Sequence, residues 1–120
     1  MITLESSTSL KEITVQADGQ EVILMAGSAD YRDQVAAYRY ARESGVFLDV
    51  DQRDPVVEAL ALDRFMRMRQ IREWKGVALS DGTDAPCTDM NKMWFFAKYP
   101  EALEQYLREM ADQEAADSKN

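Results

Sequence analysis

Residues 54–76 read DPVVEALALDRFMRMRQIREWKG, and this stretch predicts a long helix. Asp54 is a typical N-cap residue, and Pro55 suits the first helical position because its missing N–H needs no partner there. Apolar residues recur at helical spacing as far as Trp74. Gly76 then favours an end to the helix. The sequence therefore predicts one continuous helix from residue 55 to about residue 74.

An apolar arc on this predicted helix carries a charge near its centre. The arc and its flanks contain Val56, Val57, Leu60, Phe65, Met68, Ile71 and Trp74. Arg64 falls near the middle, where a charge is unfavourable unless it is paired or reaches solvent. Three interpretations stay open: Arg64 extends past its neighbours to solvent, pairs with an internal carboxylate such as Asp49 or Glu43, or meets an acidic group on a partner.

Basic residues are concentrated in the second half of the same stretch. They are Arg64, Arg67, Arg69, Arg72 and Lys75. The favoured interpretation is a solvated helix whose cations complement the negative end of the helix dipole. A nucleic-acid interface is the alternative, but the chain has a formal net charge of −8. Because binding to phosphates needs a basic surface, we expect no direct nucleic-acid binding.

The composition favours a single domain without metal or cofactor chemistry. The chain has 120 residues, one cysteine and no histidine. It therefore lacks an internal disulfide, a Cys/His metal site and the usual histidine general base. The spacing of Asp81, Asp84 and Asp89 does not match a calcium loop. The remaining carboxylate pairs are Glu58 with Asp63 and Asp112 with Glu114. Neither pair is expected in a cleft, so we expect no enzymatic activity, no metal and no cofactor.

Nothing in the sequence predicts a membrane segment or a secretion signal. The first residues, MITLESSTSLKEI, lack the basic start and apolar stretch of a signal peptide. No apolar run approaches the roughly 20 residues needed to span a bilayer. We expect a cytoplasmic protein that does not enter membranes.

Residues 11–26, KEITVQADGQEVILMA, predict a β-hairpin. Two β-prone runs flank Asp18-Gly19, a dipeptide that supplies the positive φ of a tight turn. The apolar residues that share a strand face are Ile13 and Val15, then Val22 and Leu24. Two strands alone are only marginally stable, so the hairpin must pack on helices.

A first helix is predicted from a cap at Ser28 or Asp30 to about Ser44, with Gly45 ending it. One side of this helix carries Tyr31, Val35, Tyr38 and Arg42. The favoured interpretation places this side in the core, with tyrosine hydroxyls at its edge. The alternative is a tyrosine-rich contact surface.

The second half of the chain predicts a corner and two more helices. Val77–Leu79 is extended, Ser80–Thr83 is a turn, and Thr88 caps a helix over about residues 89–98. That helix is apolar nearly all round. Met90, Met93, Trp94 and Ala97 form one stripe, and Phe95 and Phe96 lie on other sides. Such a helix is either buried or binds a partner.

The last helix starts at Pro100 and has an amphipathic face made of Leu103, Tyr106, Leu107 and Met110. Beyond Met110 the chain lacks large apolar residues, so residues 111–120 are predicted to form a flexible acidic tail. The predicted fold is mainly α within the α+β class. It has an N-terminal β-hairpin followed by about four helices, packed as one small helical domain over residues 1–110.

Several short elements between residues 60 and 110 occur in a characteristic order. They are Ile71-Arg72-Glu73-Trp74-Lys75-Gly76-Val77, Ser80-Asp81-Gly82, Pro86-Cys87-Thr88 and Tyr99-Pro100-Glu101-Ala102-Leu103. In this order they resemble the small tail assembly chaperones of long-tailed bacteriophages. The resemblance implies a largely helical, non-catalytic protein that keeps the tape measure protein soluble and helps tail tube subunits polymerise. Some such chaperones self-associate, so a homo-oligomer is also considered.

The tape measure protein is long and helical, so a chaperone for it needs apolar grooves between helices and an acidic exterior. The Trp-Lys-Gly-Val step and the Asp-Gly turn are interpreted as the corner that folds the Arg-rich helix back beside the aromatic helix. Apolar surface would then remain between the two. The candidate partner-binding residues are Arg64, Met68, Ile71, Trp74, Met93, Trp94, Phe95 and Phe96.

The alternative function follows from the net charge of −8 on a small chain. A small acidic phage or mobile-element protein can inhibit a host nucleic-acid-binding complex by mimicking nucleic acid. Such a mimic should align its carboxylates at phosphate-like spacing, whereas here acidic residues alternate with arginines. This alternative therefore ranks second.

Overall fold

The computed structural model describes residue 1, residues 10–45 and residues 53–118. The elements are β1 (Lys11–Ala17), β2 (Gln20–Ala26), α1 (Tyr31–Glu43), α2 (Pro55–Gln70), β3 (Ile71–Lys75), α3 (Asp89–Lys98) and α4 (Pro100–Ser118). The predicted α+β class, with a hairpin and four helices, is confirmed. The third strand was not predicted.

The hairpin forms as the sequence predicts. Asp18 and Gly19 both have positive φ, at 54° and 72°, which suits a tight turn between antiparallel strands. The side chains predicted to share a face are all buried: Ile13, Val15, Val22 and Leu24.

The helix predicted to run to Trp74 ends instead at Gln70, and the next residues form β3. β3 pairs antiparallel with β2, and the sheet order is β1-β2-β3. Side chains far away in the sequence satisfy the carbonyls at this helix end. Lys92 Nζ donates to the carbonyl oxygens of Met68 and Ile71 at 3.0 and 2.9 Å. Gln70 exchanges two hydrogen bonds with the backbone of Gly27.

The core lies between the sheet, α3 and α4. It includes Ile13, Val15, Leu24, Ile71, Phe95, Phe96, Tyr106 and Met110. Tyr106 also donates its hydroxyl to the carbonyl oxygen of Arg67 at 2.6 Å, which satisfies its polar end inside the protein. α4 extends to Ser118, so the helix continues past residue 110, where the flexible tail was predicted to begin. An ion pair between Arg67 and Glu114 holds this last part of α4 against α2.

α1 has the predicted ends but the opposite orientation. Asp30 caps it, Ser44 follows its last residue, and Gly45 has a φ of 79°. The stripe that the sequence placed in the core is exposed, including Tyr31 and Val35. The buried face contains Asp33, Ala36, Ala37 and Ala41. Small alanine side chains allow the two helix backbones to approach, so α1 packs on α2 through them.

Within residues 10–45 and 53–118, each helix is either too short or too polar to cross a bilayer.

Candidate protein-binding groove

Gly76 makes the corner between β3 and the following loop. Its φ is 97°, in the left-handed region that favours glycine. A Cβ added to Gly76 would lie 2.9 Å from the carbonyl oxygen of Glu21. Both the backbone conformation and the close approach to β2 therefore require glycine here, and the chain turns away from the sheet at this point.

The loop after Gly76 folds back on itself. Val77 and Ala85 are joined by a backbone hydrogen bond of 2.9 Å, and Leu79 and Thr83 by one of 2.8 Å. Asp81 Oδ1 accepts hydrogen bonds from both the backbone N–H and the hydroxyl of Thr83. The predicted turn over residues 80–83 is thus confirmed as the tip of a short, hydrogen-bonded loop.

Trp74 connects this loop to the core. Its Nε1 donates to the carbonyl oxygen of Ala85 at 2.7 Å. Its ring meets Phe95 edge to face, with ring centroids 5.6 Å apart. The Trp-Lys-Gly-Val step therefore does form a corner beside the aromatic helix, as the sequence suggested. A strand and not the Arg-rich helix leads into it.

α3 divides its large side chains between the core and the surface. Thr88 caps the helix by accepting a hydrogen bond from the Asn91 N–H. Phe95 and Phe96 point inward and are buried, whereas Trp94 is 65% exposed and Met90 59% exposed. A half-exposed tryptophan on a well-capped helix is typical of interaction surfaces.

A groove of about 400 Å³ lies between the loop, α3 and the turn of the hairpin. Its apolar lining includes Val22, Val77, Leu79, Trp94, Phe95 and Tyr99. Asp18, Asn91 and Lys98 provide polar groups along the same lining. This volume falls in the range of small binding sites, and the lining combines apolar walls with a few polar groups. The groove can therefore accept apolar side chains from a partner.

The structure does not bring the eight candidate residues together on one surface. Met68, Ile71, Phe95 and Phe96 are buried in the core, and Trp74 and Met93 pack against it. Trp94 is the one apolar candidate that is exposed. Leu79 and Tyr99 also line the groove but were not candidates. Gly76 and Gly82, which both have positive φ, are the sequence signal for a chain that turns on either side of Leu79. These turns place Leu79 on the lining of the groove.

Arg64 pairs with a carboxylate that the sequence did not suggest. Its Nη2 lies 3.3 Å from Glu104 Oε1 of α4, and both side chains are about half exposed. Glu43 is not the partner in this pair, and Asp49 lies outside the described residues. An exposed ion pair of this kind contributes little to stability. Binding of a partner through Arg64 stays a prediction.

The other arginines of the basic cluster are not simply solvated. Arg72 binds the carboxylate of Asp33 with two hydrogen bonds, at 3.0 and 2.8 Å. Arg69 Nε lies 3.3 Å from the same carboxylate, although the atoms are not aligned for a hydrogen bond. Burial raises the pKa of Asp33, but the hydrogen bonds from Arg72 and from the Asp30 backbone outweigh it and leave that pKa lowered. The predicted solvated helix face is therefore wrong for Arg69 and Arg72.

A second carboxylate extends this buried cluster to α3. Asp89 accepts hydrogen bonds from Tyr40 at 2.6 Å and Arg69 at 2.7 Å. Burial raises the pKa of Asp89, but Tyr40, Lys92 and Arg69 together leave it lowered. Burial also lowers the pKa of the Lys92 ammonium, although Asp89 lies 3.4 Å away.

This cluster of charged residues joins secondary-structure elements and leaves no room for a substrate. The space beside Tyr40, Arg69, Asp89 and Lys92 is about 10 Å³, which is about the room for one water molecule. Its three cations contact the two carboxylates and so tie α1, α2, β3 and α3 together. The open groove beside Trp94 is therefore the better candidate for a functional site.

We compared the chain with protein-family models, curated proteins and solved structures, and none of them matches it.

Proposed function

We propose that this protein is a non-catalytic tail assembly chaperone that binds the tape measure protein, tail tube subunits, or both. The observation that carries the proposal is the position of Trp94, which lies 65% exposed on the lining of an apolar groove. A large aromatic side chain beside a groove is a typical anchor for a protein partner. The ordered sequence elements that resemble phage chaperones supply the identity of the partner.

The apolar lining of the groove supports a helical partner. The groove runs between α3 and the loop over residues 76–85, and its lining includes Leu79, Trp94 and Tyr99. Apolar residues at i, i+3 and i+4 of an amphipathic helix can enter such a groove. The tape measure protein would offer many such stripes, and the chaperone would cover one of them until assembly.

The charge of the chain suits this role. A net charge of −8 disfavours self-aggregation of the complex while the apolar stripe of the partner is covered. We place this activity in the cytoplasm of the infected cell, where tails assemble. Self-association would allow several copies to bind along one long partner.

The proposal is tested by using the purified chain to capture proteins from phage-producing cells. We expect recovery of a very long helical protein or a tail tube subunit. Trp94→Ser should reduce that recovery at least about tenfold, as expected for loss of a hot-spot residue. Val57→Ser is the matched control, because Val57 is also an exposed apolar residue but does not line the groove. Equal recovery by the two variants would overturn the role of the groove.

The second candidate function is inhibition of a host nucleic-acid-binding complex. The exposed acidic residues of α4, among them Glu101, Glu104 and Glu109, favour it. Arg108 lies within the same helix segment, which weakens the likeness to a row of phosphates. Capture of a host nucleic-acid complex that DNA or RNA displaces would support this candidate and count against the chaperone.

A further inference from the structure

The outward face of α1 is a second apolar surface, and its residues do not line the groove. Tyr31 is 77% exposed and Val35 51% exposed, and Tyr38 is also more than half exposed. These residues are spaced by four and three positions, so they form a straight stripe about 10 Å long, or two helical turns. Exposed apolar side chains that adjoin one another in this way mark interaction surfaces.

Positive charge accompanies this stripe. Val35 and Tyr38 line a shallow hollow of about 580 Å³ together with Arg39, Arg42 and Glu43. Among the described residues that line the hollow, two arginines outweigh one glutamate, whereas the whole chain has a net charge of −8. The hollow is therefore a locally basic, apolar site on an acidic molecule.

We propose that this face of α1 docks an acidic amphipathic helix of a partner protein. Apolar residues of that helix would pack against Tyr31, Val35 and Tyr38. Its Asp or Glu side chains would meet Arg39 and Arg42. A straight stripe two turns long matches the ridge of a second helix, which is the usual way that helices pack.

Nucleic acid is a less suitable occupant of this face. Tyrosines and arginines can stack on bases and bind phosphates. However, among the described residues that line the hollow the cations are Arg39 and Arg42, and the net charge of −8 on the chain repels a polyanion. A helix needs only a few carboxylates at the contact and so experiences much less of this repulsion.

The test uses two synthetic helical peptides that differ only in charge. Both carry leucine at i, i+3, i+4 and i+7. One has glutamate at the flanking positions and the other lysine. We expect the glutamate peptide to bind at least about tenfold more tightly, measured by fluorescence anisotropy. Its affinity should fall as salt rises from low to physiological concentration, because the paired charges are exposed.

Variants of the protein locate the peptide on α1. Val35→Asp should weaken the glutamate peptide about tenfold or more, because it places a buried charge in the contact. The double variant Arg39→Glu with Arg42→Glu should reverse the preference and bind the lysine peptide more tightly. Trp94→Ser should leave peptide affinity unchanged, which separates this surface from the groove.

Three outcomes would overturn the proposal. Equal affinity of the wild-type protein for the two peptides would show that Arg39 and Arg42 do not select an acidic helix. Tighter binding of a single-stranded oligonucleotide that Val35→Asp abolishes would identify nucleic acid as the occupant. Self-association that Val35→Asp abolishes, seen by analytical ultracentrifugation without peptide binding, would identify a second copy of the chain.

Discussion

α1 and α3 are both short helices with several large apolar side chains, yet they distribute them in opposite ways. α3 buries Phe95 and Phe96 and exposes Trp94. α1 buries alanines and exposes Tyr31 and Tyr38, while Tyr40 is partly buried. Two of the three aromatic rings of α3 are buried, whereas two of the three in α1 are exposed.

The difference comes from what each helix packs against. α3 contributes to the core that it forms with the sheet and α4, and this core contains Phe95 and Phe96. Phe96 stacks near Tyr106 with ring centroids 6.4 Å apart. α1 lies against α2, and the buried Asp33 must reach Arg72 at hydrogen-bond distance. The other buried residues of α1 are alanines, and Tyr31 and Tyr38 lie on the opposite, exposed face.

The largest effect that separates the two helices should come from Phe96→Ala. Phe96 is buried in the core, and a cavity of this size typically lowers the free energy of unfolding by about 3–5 kcal/mol. Trp94→Ala on the same helix should change it by less than about 1 kcal/mol, since that ring is mostly exposed. Denaturant unfolding of both variants measures the two values. Similar losses would mean that Trp94 belongs to the core.

Much of the fold follows from local sequence signals. The Asp18-Gly19 turn, the cap at Asp54 and the Pro100 start all rest on the chemistry of neighbouring residues. The end of α2 does not. Its carbonyls are satisfied by Lys92, which follows more than twenty positions later, and β2 supplies the pairing edge for Ile71. Interactions between distant segments overrode the helical periodicity there.

The candidate site was predictable only in part. The aromatic helix and the corner at Gly76 were identified from sequence, and both border the groove. Periodicity placed Trp94 on a different side from Phe95 and Phe96, which is correct. It did not show which side faces the core, because that depends on the partner element. The orientation of Tyr31 and Tyr38 was wrong for the same reason.

The second-largest loss of stability is expected when the carboxylate of Asp33, which joins α1 to Arg72, is removed. Asp33→Asn removes the carboxylate between Arg69 and Arg72 and leaves the partly buried Arg72 without the carboxylate of its ion pair. We expect a loss of about 3 kcal/mol in the free energy of unfolding, at the low end for a broken buried pair, because Arg72 keeps 32% of its side chain exposed. Asp63→Asn is the matched control, since Asp63 is 58% exposed in its pair with Arg67, and it should have almost no effect.

The ion pair between Asp33 and Arg72 also predicts how the stability of the protein depends on pH. The folded pKa of Asp33 lies below the ordinary value of 3.8, so its contribution is fully present above that value and is lost as pH falls below it. The difference in unfolding free energy between wild type and Asp33→Asn should therefore be constant near neutral pH and shrink below about pH 4. A difference that stays constant down to pH 2 would contradict this role of the carboxylate.

The smallest effect concerns the two faces of α1 directly. Ala37→Leu adds bulk at the α1–α2 contact, where Ala37 is buried, and should lower the free energy of unfolding by about 1–3 kcal/mol. Val35→Leu introduces the same side chain on the outward stripe and should change it by less than about 0.5 kcal/mol. Thermal unfolding of the two variants at one pH measures both changes in stability. If Val35→Leu were the more damaging change, the outward stripe would be packed within the protein, and α1 would have the orientation that its sequence first suggested.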